Sequence, residues 1–329
     1  MESKQPKRAA LIYNPVARGL SRHPHLLQRT IGTLSKQGIE ARLVPTDGPG
    51  TAGMQAQTAI ESGADLIIAA GGDGTINEVA NGMLYTDVPL AILPGGTANV
   101  LAREMRLPIH LDRAASQIAG MDARRIAVGG IRLSGSPQRC FLCMAGAGLD
   151  AAIVSRLNLR FKARTGKLAY YLTGFSQVFQ PLHEFDVIIE GLPYQASFAL
   201  ISRVRNYGGD LEIARGASLL RDDFEIVLFR GTMSVRYLGY LLGVALGRVH
   251  RMRGSKVVRG RKISCPGNDG TYVQIDGELA GRLPLAIEIL PEALTLLLPA
   301  GYLRREQARA GIRGCDAPPV TEFTANERV

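Results

Sequence analysis

Between residues 66 and 105 the chain twice makes the same transition: a short apolar run, a glycine pair, then a segment with helical spacing. Residues 66–70 lead into Gly71-Gly72-Asp73-Gly74-Thr75, and residues 90–93 lead into Pro94-Gly95-Gly96-Thr97. Apolar runs of this length, bounded by glycine, read as buried strands. Glycine leaves no Cβ in the way, so a ligand can lie against the backbone. The threonine that opens each helical segment is placed to cap it, and the free amides there, with the helix dipole, favour phosphate. Two such turns side by side, at the carboxyl ends of parallel strands, would form a nucleotide phosphate site. The alternative is that close helix-to-strand packing alone demands small residues. That explanation suffices for one turn but not for two that also carry Asp73, Asn77, Glu78 and Asn99.

The preceding chain has the matching rhythm. Residues 9–13 form an apolar run that ends on Asn14-Pro15, a helix fits residues 24–37, and a second strand over 41–44 ends near Thr46. A helix over 51–62 then leads into the central stretch. Alternation of strands and helices with tight turns predicts a three-layer α/β domain on a parallel sheet. Ligands of such sheets bind beyond the carboxyl ends of the strands. Asn14, Thr46, residues 71–75 and residues 95–97 all fall at such ends.

Helices are expected over 99–105 and 112–120, after which the pattern changes near Asp122. Strands are expected over 125–133, 139–144, 185–190, 194–202, 225–229, 256–265, 272–275, 286–290 and 293–298. A run of strands with two helical insertions, near 151–178 and 233–248, predicts a β-sandwich-like second domain. The organisation expected is an α/β nucleotide-binding domain over 1–122, a β-sandwich domain over 123–303 and a poorly ordered tail over 304–329.

No apolar stretch reaches the 18 or so residues of a spanning helix. The charged start passes directly into a strand and does not read as a signal peptide. Four cysteines in 329 residues are too few for a disulfide framework, and a cytoplasmic location is expected. Cys140 and Cys143 have the spacing of half a zinc site, but without a second pair they read as core cysteines. The net charge of +10 predicts an anionic partner: nucleotide, phospholipid surface or nucleic acid.

The glycine turns match neither the Walker loop nor the dinucleotide fingerprint. The string Gly-Gly-Asp-Gly-Thr-x-Asn-Glu-Val, followed by Pro-Gly-Gly-Thr-x-Asn, resembles the catalytic domain of the diacylglycerol kinase and sphingosine kinase family, and most of all its small bacterial lipid kinases. The core motif is shared more loosely with NAD kinases and phosphofructokinases. Gly146-x-Gly-x-Asp150, residues 166–171 and Asp276-Gly277-Glu278 resemble marks of the family's second domain. The resemblance implies an active site in the cleft between an α/β domain and a β-sandwich.

Phosphoryl transfer needs a cradle for the donor phosphates, a divalent metal and a carboxylate that takes the acceptor's proton. ATP over Asn14, Thr46 and the two glycine turns, with Mg2+, is the expected donor, and Asp73 is the carboxylate nearest the phosphates. A plain hairpin accounts for Asp276-Gly277 on sequence alone. The resemblance implies instead that Asp276 is the general base, with Glu278 supporting it or the magnesium. The family also holds a structural magnesium on a Pro-x-Ala-x-x-x-Asp-Gly-like segment. Here residues 214–225 match it, with Arg215 for the proline and Arg221-Asp222 for the Asp-Gly step. Asp222 and Asp223 are the candidate ligands. Alternatively the arginine stands in for the metal, or the stretch is a solvated turn.

The expected acceptor is a lipid hydroxyl, diacylglycerol-like or long-chain-base-like, reached peripherally at an anionic membrane surface. Two basic stretches, 156–167 and 247–262, are candidates for docking there, each weighed against a merely solvated face. No nucleic-acid-binding motif is present and there is no tryptophan. The rivals are an NAD-kinase-like or other soluble small-molecule kinase, and a nucleotide-binding regulator without turnover. The oligomeric state is left open, a dimer included.

Overall fold

The computed structural model describes residues 8–17, 20, 25–148, 183–207, 211–231, 240, 243, 252, 254–267 and 270–316. In the first part, β1 (Arg8–Tyr13), β2 (Glu40–Pro45), β3 (Leu66–Gly71) and β4 (Leu90–Pro94) lie parallel in the order β2-β1-β3-β4. The helices are α1 (His25–Ser35), α2 (Ala52–Glu61), α3 (Asp73–Gly82), α4 (Val100–Glu104) and α5 (Leu111–Ala115). β3 and β4 are buried along their whole length, as parallel strands covered on both faces must be. Leu11, Leu66, Ile68 and Leu93 face one layer, with Leu34 of α1 and Ala114 of α5. Ile12, Ile67, Ala69 and Ile92 face the other, with Ala56 of α2, Val79 of α3 and Leu101 of α4.

The second part comprises β5 (Met121–Leu133), β6 (Arg139–Phe141), β7 (Met144–Gly148), β8 (Phe185–Ile189), β9 (Leu192–Ala196), β10 (Phe198–Ser202), β11 (Asn206–Tyr207), β12 (Leu211–Glu212), β13 (Phe224–Phe229), β14 (Ser255–Gly260), β15 (Lys262–Cys265), β16 (Tyr272–Ile275), β17 (Glu278–Arg282) and β18 (Leu285–Pro299), followed by α6 (Ala300–Asp316). A six-stranded antiparallel sheet, β14-β13-β10-β7-β16-β17, faces β15, β8 and the near half of β5-β18. Ala147, Val187, Ile226, Val273 and Ile287 fill the space between these sheets. The architecture is therefore a three-layer α/β domain joined to a β-sandwich.

One long antiparallel pair carries both domains. The far end of β18 lies beside β4, with Leu296 paired to Leu90, while its near end, Leu285 to Leu290, belongs to the sandwich. Strands expected over 286–290 and 293–298 are thus one strand. A bulge between Leu290 and Leu294, with Glu292 at φ +46°, bends it from one domain into the other.

Elsewhere single expected strands are two. The run 194–202 divides into β9 and β10, which lie in different sheets, because Ser197 turns its amide to the Phe229 carbonyl. The run 256–265 divides at Arg261, whose amide, with that of Lys262, binds the Glu190 carboxylate. The run 139–144 breaks at Leu142 and Cys143, whose amides leave the ladder for a side chain described below. The helix expected over 112–120 is α5 followed by a 3₁₀ turn, Ile118–Gly120.

The expectation of a poorly ordered tail from residue 304 fails as far as Asp316. α6 is helical over that span, with Tyr302, Leu303 and Glu306 buried. Its apolar face is thin, and it is held instead by polar contacts: Arg205 bonds Glu306 and Glu104, and Arg305 donates to the Glu104 carbonyl at 2.7 Å. The expected helical insertions, the basic stretch 156–167, Asp150 and residues 166–171 lie outside the described residues, apart from isolated positions such as Tyr240.

Candidate active site

The two glycine turns meet at the ends of β3 and β4, where Gly71 and Pro94 are register partners and the Gly95 amide donates to the Gly71 carbonyl at 2.7 Å. A Cβ on Gly96 would stand 2.5 Å from the Gly72 Cα, and one on Gly95 would stand 3.1 Å from the Gly71 Cα. Glycine is required here first because the turns press backbone to backbone. Neither threonine caps its helix. α3 begins at Asp73 with extended Gly72 before it, and Thr75 packs its side chain against Gly71 one turn in. α4 begins after Asn99, which sits at φ +49° and closes the turn on itself: Oδ1 accepts from the Gly96 amide at 2.8 Å and Nδ2 donates to the Gly96 carbonyl at 2.9 Å. Thr97 is exposed at the rim.

The amides at the start of α4 are not free either. They point at Asp73, with the Leu101 amide 3.4 Å from Oδ1. Burial, together with the charge of Asp276, lifts Asp73 to about 6 against the pull of these amides. The first turn of α3, over residues 73–75, presents backbone amides that have no partner within the helix and receive no side-chain cap. There a Cβ on Gly74 would collide with the carboxylate of exposed Glu278, which lies across it.

Asp276 arrives from the second domain. Asp276 and Gly277 form the two-residue loop between β16 and β17 with φ of +47° and +84°, the conformation that makes Asp-Gly a hairpin pair. The hairpin turn and the residue that meets α3 are thus the same feature. The carboxylate accepts four hydrogen bonds: to Oδ1 from the amides of Cys143 (3.0 Å) and Met144 (2.8 Å), and to Oδ2 from the Leu142 amide (3.2 Å) and Asn77 Nδ2 (2.7 Å). Burial raises its pKa, and the four donors oppose the rise. Asn77 also donates to the Cys140 carbonyl at 3.1 Å.

Asn81 was not singled out from sequence, yet it fixes Asn77. Its Nδ2 donates to Asn77 Oδ1 at 2.8 Å, and its Oδ1 accepts from the Cys140 amide at 2.9 Å. The usable signal was the i, i+4 spacing of two asparagines on one helix face.

Other expected residues lie apart from this centre. Glu78 accepts from the Ala52 amide at 3.3 Å and so serves the start of α2. Asn14 folds its Oδ1 onto the Val16 amide at 3.0 Å, an Asx turn at the end of β1. Thr46 extends β2 through its amide to the Tyr13 carbonyl. Asp222 and Asp223 sit in the loop before β13. Although burial favours its neutral form, Arg259 and Arg221 hold Asp223 well below the usual carboxylate range. Cys140 and Cys143 are buried, with burial pushing Cys140 up to about 12, and no cluster of metal-ligating side chains forms among the described residues.

The sequence model described as "Diacylglycerol kinase catalytic domain" matches residues 8–131, and that described as "YegS C-terminal NAD kinase beta sandwich-like domain" matches residues 143–298. A diacylglycerol kinase of Staphylococcus epidermidis is 27% identical over 308 residues, covering 91% of this chain and 95% of its own. One of Bacillus subtilis is 28% identical over 285 residues, covering 84% and 92%. A crystal structure described as a diacylglycerol kinase from Bacillus anthracis strain Sterne shares the fold, with a TM-score of 0.74 at 24% identity over 91% of this chain and 99% of that one.

Proposed function

The chain belongs to the diacylglycerol kinase catalytic-domain family, and we propose that it is an ATP-dependent lipid kinase that moves the γ-phosphoryl group to a lipid hydroxyl, diacylglycerol-like or long-chain-base-like. The observation that carries this reading is the contact of Asn77 with Asp276, which sets the acidic hairpin of the second domain over the helix that follows the first glycine turn.

In this reading the amides at the start of α3 bind the terminal phosphates of ATP, favoured by the helix dipole. The acceptor oxygen attacks the γ-phosphorus, the bond to the bridging oxygen breaks, and ADP leaves with its electron pair. Asp276 takes the hydroxyl proton. Its raised pKa suits it to that role, but both lone-pair directions of each oxygen are occupied. Three of the donors are backbone amides fixed in the β6–β7 turn, so Asn77 is the one side-chain donor, and its face opens to the acceptor only when its bonds to the Cys140 carbonyl and Asn81 give way as well.

Magnesium would supply charge neutralisation at the transferring group. The donor chemistry fits it: Asp73 and Glu278 offer hard oxygens beside α3, and the mutual repulsion of Asp73 and Asp276 is what a divalent cation relieves.

No helix among the described residues is long and apolar enough to cross a membrane. We take the lipid to be met peripherally at an anionic surface, an attraction that the net charge of +10 supports. Within the stretch 247–262 Arg259 is turned inward onto Asp223, so exposed Arg261 and Lys262 are the better surface contacts. The test is incubation with γ-labelled ATP and a panel of lipids and NAD. Label in a lipid supports the proposal; label in NAD, or in neither with bound nucleotide, identifies a soluble kinase or a regulator instead.

A further inference from the structure

The resemblance to the lipid kinases places a structural magnesium at the stretch 214–225, but the two acids turned inward there, Asp223 and Glu225, are held by arginines, and Asp222 is exposed to solvent. Asp223 spends its whole carboxylate on two guanidinium groups. Arg221 donates Nε to Oδ1 at 3.0 Å and Nη2 to Oδ2 at 2.9 Å, while Arg259 donates Nη2 to Oδ1 at 2.8 Å and Nε to Oδ2 at 2.9 Å. Each oxygen accepts twice, so neither has a lone pair left to face an ion. Glu225 accepts once at each oxygen, from the Gly216 amide at 2.9 Å and from Arg259 Nη1 at 3.3 Å, so a guanidinium faces this acid too.

The inner side of the same loop is held by a third guanidinium. Arg203 is fully buried at the end of β10. Its Nη2 donates to the carbonyls of Ala127 and Leu219, each at 2.9 Å, and its Nη1 donates to those of Asp223, at 2.9 Å, and Arg221. Several backbone carbonyls converging on one buried positive charge is how a protein coordinates a hard cation. Here the charge is covalently part of the chain. A guanidinium suits the task because it never deprotonates at working pH and its fork binds a carboxylate with two parallel bonds.

We propose that the loop between β12 and β13 is a metal-free counterpart of a structural cation site, with Arg203 on its carbonyls and Arg221 and Arg259 on its acids. Its order needs no divalent ion. This goes beyond the kinase reading and does not rest on which acceptor is used.

The test is elemental analysis of the full-length protein after exhaustive dialysis, combined with thermal unfolding with and without EDTA and no nucleotide present. The expected result is substoichiometric divalent metal and a melting temperature unmoved by EDTA. A stoichiometric ion that survives dialysis, or a melting temperature that EDTA lowers, overturns the proposal. Arg259→Gln is expected to lower the melting temperature by roughly 3 °C or more; melting like the parent would show that the guanidinium does not hold the loop. Should that variant fail to fold, Arg259→Lys, which keeps the charge but loses the fork, is read by the same criterion.

Discussion

Asn77 Nδ2 donates to Asp276 Oδ2 at 2.7 Å, joining residues 199 positions apart in sequence and fastening the second domain to the helix that follows the first glycine turn. This bond both orients the proposed base and occupies the face it needs. Asn77→Asp would place a second carboxylate against Asp276 in a buried setting. Turnover is expected to fall by on the order of 10²-fold or more, with ATP affinity changed far less, measured as kcat and KM in a coupled ADP-release assay. A loss confined to KM would show that Asn77 serves the nucleotide instead.

Asp73 carries a cost that the fold bears for the site. Its carboxyl lies at about 6 in the folded chain against 3.8 in the unfolded one. A raised acid contributes stability below its unfolded value and loses it as pH rises through the folded value. From this group the protein therefore gains stability as pH falls from 7 towards 4, by roughly 3 kcal/mol at most. Asp73→Asn, neutral throughout, is expected to melt higher than the parent at pH 7.5 while losing turnover. A lower melting temperature at that pH would contradict the raised pKa.

Gly96 is set by contact with another glycine, since its Cβ would stand 2.5 Å from the Gly72 Cα. Gly96→Ala must push the two turns apart. The expected cost is about 1–3 kcal/mol of stability, read by denaturant unfolding, together with weaker ATP binding. Gly135→Ala offers a control for glycine replacement as such: it has open space around it, and strain at its φ of +72° is the only penalty.

The C-terminal helix α6 is expected to be part of the fold. Arg205 is buried between Glu104 of α4, bonded at 2.6 Å, and Glu306 of α6. Arg205→Ala would leave Glu104 with neutral donors only and Glu306 with the longer contacts to Arg305 and Arg309 at 3.8 and 3.7 Å. Breaking buried pairs costs up to about 3–5 kcal/mol. Burial already raises the pKa of Glu104 even with Arg205 beside it. The variant's deficit should therefore shrink at acidic pH, where Glu104 takes up a proton. A deficit independent of pH would point to lost packing alone.

The α/β domain was legible because its strands are uninterrupted apolar runs closed by glycine, a local signal. The sandwich was legible as a collection of strands, but their limits were not. At Ser197, Arg261 and Leu142 the chain changes its hydrogen-bond partners, and tertiary contacts decide where the ladder stops. The site was read through its acids and glycines, which are unusual residues in unusual strings. Asn81 and the amides of Leu142, Cys143 and Met144 escaped notice, since a backbone donor has no letter of its own. Glu78 belongs to the first string and Asn14 to the first strand's end, yet both serve neighbouring backbone, so neither motif membership nor a strand end alone places a side chain at the phosphates.

The most direct measurement is turnover of Asp276→Asn on whichever lipid the parent labels, with nucleotide binding and melting temperature followed in parallel. The account predicts a folded protein that still binds ATP and transfers phosphate at least about 10²-fold more slowly. Near-parental turnover in a folded Asp276→Asn protein would contradict it.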